Sequence, residues 1–228
     1  FRILDLEKND FKLVLFKKRK NKHLYYIDDS PEEFFILTNK NGQKNFAIYK
    51  TKLSDFEEKK WKNFIKHNKS EFLEDFQIFK DYLVVETRKK GLPQIQIINR
   101  KNKNKTYIKF KDPCYTASLA SNSKYDSTSF KYVYSSLKTP LLIYSQSFIS
   151  GKKTKIWQQK INNFKENAYV TDRISIKGRD GTKIPISIIY KKGLNLSSAP
   201  ILFYGYGSYG SNVEPSFKLS FLPLIDDG

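Results

Sequence analysis

Apolar residues in this chain come in short runs broken by charged and turn-forming positions. Phe11-Lys12-Leu13-Val14-Leu15-Phe16, His23-Leu24-Tyr25-Tyr26-Ile27 and Tyr107-Ile108-Lys109-Phe110 are aromatic and β-branched, are bounded by Asn, Asp, Ser and Lys, and predict strands. Helical spacing is scarce. Leu53, Phe56, Trp61, Phe64 and Ile65 fit a helix over 53–65 only in part, and a loop followed by a strand fits equally well. The basic run Lys17-Lys18-Arg19-Lys20 with Lys22 separates two apolar runs, as a hairpin tip or a solvated loop.

Aligning the strongest hairpins exposes a repeat. Phe34-Phe35-Ile36-Leu37 leads through Gly42 to Asn45-Phe46-Ala47-Ile48-Tyr49, Tyr82-Leu83-Val84-Val85 leads through Gly91 to Gln94-Ile95-Gln96-Ile97-Ile98, and Leu141-Leu142-Ile143-Tyr144 leads through Gly151 to Thr154-Lys155-Ile156-Trp157. Each unit is an apolar strand, a charged loop with one glycine, and an alternating second strand. The recurrence, about 50 to 60 residues, is the spacing of propeller blades built from four short antiparallel strands, and about three blades fit. A meandering sandwich with coincidental spacing is the other reading.

The pattern changes near Asn162. Asn162-Asn163-Phe164-Lys165-Glu166-Asn167 reads as a linker, and longer strands follow it. Arg173 to Gly178, the turn Arg179-Asp180-Gly181-Thr182 and Lys183 to Tyr190 predict a hairpin, because Asp-Gly accepts the positive φ angles of a tight turn. Pro185 lacks an N–H and belongs on an edge or at a bulge. The continuous apolar run Pro200-Ile201-Leu202-Phe203-Tyr204 is consistent with a buried strand.

Composition narrows the class. The chain has 228 residues, 39% hydrophobic and 15% aromatic, enough apolar surface to fold rather than stay disordered. The one cysteine, Cys114, cannot pair within the chain, which fits a reducing compartment. No apolar stretch approaches the roughly 20 residues of a membrane span, and no export signal is visible. There is no methionine, so Phe1 is not a translation start and a fragment or processed piece is expected. The net charge of +19 would suit a phosphate-backbone binder. However, 36 of the 42 basic residues are dispersed lysines and only six are arginine, the side chain that reads bases bidentately, so no specific nucleic-acid partner is expected.

Candidate chemistry concentrates in Tyr204-Gly205-Tyr206-Gly207-Ser208-Tyr209-Gly210. The glycines match the dinucleotide fingerprint literally, but the required helix does not follow, since Ser211-Asn212-Val213-Glu214-Pro215 reads as a loop. Ser208 fails as an elbow nucleophile because Tyr206 stands where a glycine is needed. His23 and His67 lie among lysines and asparagines in the first part of the chain and read as solvated surface residues, so no Ser/His/Asp triad can be assembled. No Cys/His cluster has metal-ligand spacing, and no cofactor is expected.

At this loop the chain resembles the prolyl oligopeptidase family of serine peptidases, its oligopeptidase B (protease II) branch in particular. The loop itself, Arg179-Asp-Gly-Thr-Lys-Ile-Pro185, Tyr82 to Arg88, Ile98-Asn-Arg100 and Tyr134 to Pro140 carry the similarity, which runs from about Asp81 to Gly228 and is looser before. The resemblance implies a mostly β chain: the C-terminal blades of a β-propeller over 1–165, then the first strands of an α/β-hydrolase domain over 166–228. It implies a cytoplasmic serine oligopeptidase that cleaves short peptides after Arg or Lys, with no membrane partner and with its Ser, Asp and His beyond Gly228, so that this chain alone is inactive. By motif match Tyr206 would donate its hydroxyl to the oxyanion, Tyr209 would line the primary specificity pocket, and Glu214 would face a basic substrate side chain. Ser216 stands where some members carry a second acid, which weakens dibasic preference. A catalytically inactive remnant or a basic binding module is the alternative, and the oligomeric state is not legible.

Overall fold

The computed structural model describes residues 1–7 and 12–227. Phe11 and Gly228, which the sequence reading used, lie outside the described residues. A short antiparallel ribbon joins β1 (Arg2–Ile3) to β2 (Val14–Leu15). Three four-stranded antiparallel meanders follow. The first sheet holds β3 (Tyr25–Asp29), β4 (Glu33–Thr38), β5 (Ala47–Lys52) and β6 (Lys62–Ile65). The second holds β7 (Phe72–Ile78), β8 (Tyr82–Lys89), β9 (Leu92–Asn99) and β10 (Lys105–Tyr107), and the third β11 (Tyr115–Leu119), β12 (Ser129–Ser136), β13 (Leu142–Ser147) and β14 (Lys153–Gln158). Each sheet is ordered as its strands run in sequence, which is the blade repeat of the sequence reading.

The middle strands are continuous apolar runs because the sheets stack face to face. On β4, Phe34 and Ile36 pack with Phe16 and Trp61 on one side, while Phe35 and Leu37 join Leu73, Phe76 and Leu83 of the second sheet on the other. On β8, Leu83 and Val85 face the first sheet, and Val84 faces Tyr115, Phe130 and Tyr132 of the third. Successive side chains on a strand point to opposite faces, so a strand covered on both sides must be apolar throughout. The hairpins β4–β5, β8–β9 and β13–β14 pair as the repeat predicts, with Gly42, Gly91 and Gly151 at φ of 73°, 74° and 67° in their turns.

The 53–65 segment resolves toward its loop-and-strand alternative: one 3-10 turn at Glu58–Lys60 precedes β6. Trp61 Nε1 donates to the Phe56 carbonyl at 2.9 Å and both rings stack on Phe16, so Leu53, Phe56 and Trp61 join one aromatic cluster while Phe64 and Ile65 join the core between the first and second sheets, and no helical stripe forms. Lys17 to Lys22 form a loop and not a hairpin tip, since β2 pairs with β1 and β3 with β4. The histidines are half-buried rather than fully solvated. The His23 ring bonds Thr38 Oγ1 at 2.9 Å, and burial and then Lys17 hold its pKa below the ordinary value.

After the third sheet, β15 (Tyr169–Lys177) pairs with β16 (Lys183–Lys191) as a two-stranded ribbon, Ser175 opposite Pro185. Of the Asp-Gly pair only Gly181 takes a positive φ, at 80°; the Asp180 carboxylate accepts from Thr182 N at 3.0 Å and Oγ1 at 2.8 Å. The turn is therefore a five-residue loop held by an Asp side chain, not a two-residue hairpin turn. The expected buried strand at 200–204 is not formed. Its residues are in no sheet, and Ile201 and Phe203 are 72% and 79% exposed. An apolar run is buried as a strand only between paired neighbours, and among the described residues none pairs with it. The described chain closes on a short helix, α1 (Leu222–Asp227), and no helix among the described residues is long and apolar enough to cross a membrane.

Candidate functional site

The β8–β9 turn, the β15–β16 ribbon and the segment 203–221 enclose a cleft of about 650 Å³. Gly91 permits this approach. Its φ is 74°, which favours glycine, and a Cβ there would stand 2.9 Å from Arg173 Nη2 and 3.3 Å from Pro185 Cγ, so a side chain would be strained and would displace the Arg173 guanidinium. Arg173 Nη2 also donates to the Lys90 carbonyl at 2.7 Å, fixing the ribbon to the second sheet.

The glycine–tyrosine segment reaches the cleft as an irregular loop. Ser211 N donates to the Ser208 carbonyl at 3.0 Å, with Tyr209 and Gly210 both at positive φ, 56° and 71°. That is a primed turn, in which Gly210 fits without strain and Tyr209 does not. No helix opens after Gly210, so the dinucleotide fingerprint lacks the helix N-terminus it needs. Tyr206 lines the cleft, 56% exposed, with no hydrogen bond from its hydroxyl among the described residues. Tyr209 is 98% exposed and is not part of the lining.

Glu214 lines the cleft together with Arg88, and the two form a forked pair. Arg88 Nη2 donates to Glu214 Oε1 at 2.7 Å and Nη1 to Oε2 at 3.3 Å, while Nε donates to Glu74 Oε1 of β7 at 2.7 Å. Burial works against the Arg88 charge, but the two carboxylates outweigh it and raise its pKa. The loop is anchored a second time by Phe217 N, which donates to Ser135 Oγ of β12 at 3.0 Å. Lys218 Nζ lies 4.1 Å from the centre of the Tyr204 ring.

Of the three residues singled out from the sequence, Tyr206 and Glu214 share this cleft and Tyr209 stands outside it. Arg88, Gly91 and Arg173 were not singled out as site residues, although Arg88 and Arg173 belong to a small minority of arginines in a lysine-rich chain. Neither histidine lines the cleft. Cys114 is buried, burial pushes its thiol pKa up, and it is no candidate nucleophile. Among the described residues no group of three His, Cys, Asp or Glu side chains could hold a metal ion.

The family model described as "Prolyl oligopeptidase, N-terminal beta-propeller domain" matches residues 1–159, which hold the β1–β2 pair and all three four-stranded sheets but not the β15–β16 ribbon. The chain belongs to the prolyl oligopeptidase family. Dipeptidyl aminopeptidase BI of Pseudoxanthomonas mexicana is 31% identical over 206 residues, covering 90% of this chain and 28% of that protein. Protease 2 of Moraxella lacunata is 30% identical, over 95% of this chain and 31% of its own length. Among solved structures, oligopeptidase B from Leishmania major superposes with a TM-score of 0.91 at 27% identity, over 100% of this chain and 33% of that one. Oligopeptidase B from Trypanosoma brucei, in a closed form with covalently bound antipain, gives 0.89 at 28% identity, over 99% and 33%. The chain thus spans about a third of the length of these relatives, which are peptidases, and its propeller sheets fall within the family's N-terminal propeller domain.

Proposed function

We propose that the protein is a serine oligopeptidase that cleaves short, flexible peptides after Arg or Lys, with this chain supplying propeller blades and one wall of the substrate cleft. In this reading 1–165 is the propeller part and 166–228 begins an α/β-hydrolase domain. The nucleophile, acid and base come from outside the chain, and the enzyme works in the cytoplasm. The observation that carries it is the cleft at the contact of the second sheet, the β15–β16 ribbon and the glycine–tyrosine loop, with the free Tyr206 hydroxyl on its wall.

Tyr206 is assigned as an oxyanion donor. A tyrosine hydroxyl on the cleft wall would meet the negative charge that develops on the scissile carbonyl oxygen, and so stabilise the transition state more than the ground state. Glu214 and Tyr209 are assigned to substrate binding, the first by charge and the second by its exposed ring. The stacked sheets argue for short substrates: a peptide threads past a propeller wall where a folded domain does not.

The test offers the full-length protein a peptide of about ten residues with one internal arginine, and a folded domain displaying the same sequence in a tight loop. Cleavage of the peptide after arginine, and not of the domain, is expected. Cutting both equally would contradict the propeller's role, and cutting neither would contradict the peptidase reading.

A further inference from the structure

Glu214 is the carboxylate on which a basic-residue subsite rests, and it already holds a guanidinium. The Arg88 fork meets it through two nitrogens, at 2.7 and 3.3 Å, as an arginine side chain of a peptide would. Behind the fork stands a second acid, Glu74, which accepts Arg88 Nε at 2.7 Å but does not line the cleft. The other charged side chains of the lining are Arg173 and Lys218, so with Arg88 in place the wall carries three cations and one carboxylate. An incoming cation meets like charge unless one of the three withdraws. Arg173 is committed to the Lys90 carbonyl and Lys218 to the Tyr204 ring. Arg88 alone has a carboxylate outside the cleft to fall back on.

We propose that Arg88 is a specificity-determining residue, an internal stand-in for a basic substrate side chain that gives up Glu214 only by retreating onto Glu74. The proposal rests on reading the cleft as a peptide subsite. The side chains of Arg88, Glu74 and Glu214 are 18%, 25% and 31% exposed, so the exchange takes place at the rim of the sheet and leaves β8 paired. Glu214 trades one guanidinium for another and Arg88 keeps a partner throughout. A neutral side chain offers Glu214 nothing in return and leaves Arg88 where it is. Selectivity is then a difference between substrate and internal competitor, not the strength of one contact.

The experiment measures kcat/KM of the full-length protein on matched fluorogenic peptides that carry Arg or norleucine, varied singly at the two positions before the scissile bond. Arg88→Met is expected to raise the Arg-to-norleucine ratio at one position by about tenfold, mainly through KM, and Glu214→Gln in the same background to erase the gain. Glu74→Gln removes the fallback partner while leaving the Arg88–Glu214 fork, and is expected to lower the ratio; it keeps the test decisive if Arg88→Met does not fold. An unchanged or reduced ratio in folded Arg88→Met, or an unchanged ratio in Glu74→Gln, overturns the proposal while the peptidase reading stands. Cleavage of neither peptide by the unsubstituted protein overturns that reading and takes the proposal with it.

Discussion

On β8 the half-buried Glu86 carboxylate accepts the Leu119 N–H across the second and third sheets. Burial pushes its pKa from 4.5 up to about 7, with Asp75 and Glu74 adding to the rise and the Leu119 N–H and Arg88 opposing it. The folded chain therefore holds this proton between pH 4.5 and about 7, where the unfolded chain has released it. The stability linked to it is full below pH 4.5 and is lost as pH rises through about 7, an effect of at most about 3 kcal/mol. Urea midpoints from pH 4.5 to 7.5 should fall more steeply for the unsubstituted protein than for Glu86→Gln, and parallel curves would contradict the assignment. At this scale the family's motif singled out Tyr206, Tyr209 and Glu214, and the structure brings Tyr206 and Glu214 to one cleft while Tyr209 stands outside it. Arg88 was not legible in the sequence, because Glu214, its partner, is 126 positions away. The one available signal was scarcity. Arg88, Arg100 and Arg173 each reach several acceptors or a carbonyl with a fork that lysine lacks; Arg100 Nη1 alone contacts the Phe79 and Lys80 carbonyls and the Tyr125 hydroxyl within 3.0 Å.

Among the elements, β4 shows what a strand covered on both faces costs to disturb. Phe35 is fully buried between the first and second sheets and packs edge-on against Phe64 at 5.2 Å. Phe35→Ala should lower unfolding free energy by about 3 to 5 kcal/mol in chemical denaturation. A loss under about 1 kcal/mol would contradict close packing between the sheets. The central hairpins could be read in advance because three signals coincide in them: an apolar run, a glycine that takes positive φ, and an alternating partner strand. The 53–65 segment stayed ambiguous because Phe56 and Trp61 are drawn to Phe16 from outside the segment, which no local period records. The apolar run at 200–204 misled for the converse reason: its pattern describes a strand, and a strand is buried only where others pair with it.

Across the whole molecule, three stacked sheets form one flank, and the chain returns along it so that residues from β8, β15, β16 and the glycine–tyrosine loop meet at one cleft. The sheets were legible from the repeat, and the cleft was not, since it depends on how the last third of the chain lies against the second sheet. The +19 charge explains little of this: the charged side chains of the cleft are Arg88, Arg173, Lys218 and Glu214, so only one of the 36 lysines takes part. What the cleft does is decided most directly at Tyr206. Steady-state kinetics of the full-length protein on a short arginine peptide should show kcat falling about 10²- to 10³-fold in Tyr206→Phe with KM little changed, because in the proposed oxyanion role the hydroxyl would act only once charge has developed on the oxygen. An unchanged kcat would contradict the placement of the reaction at this loop.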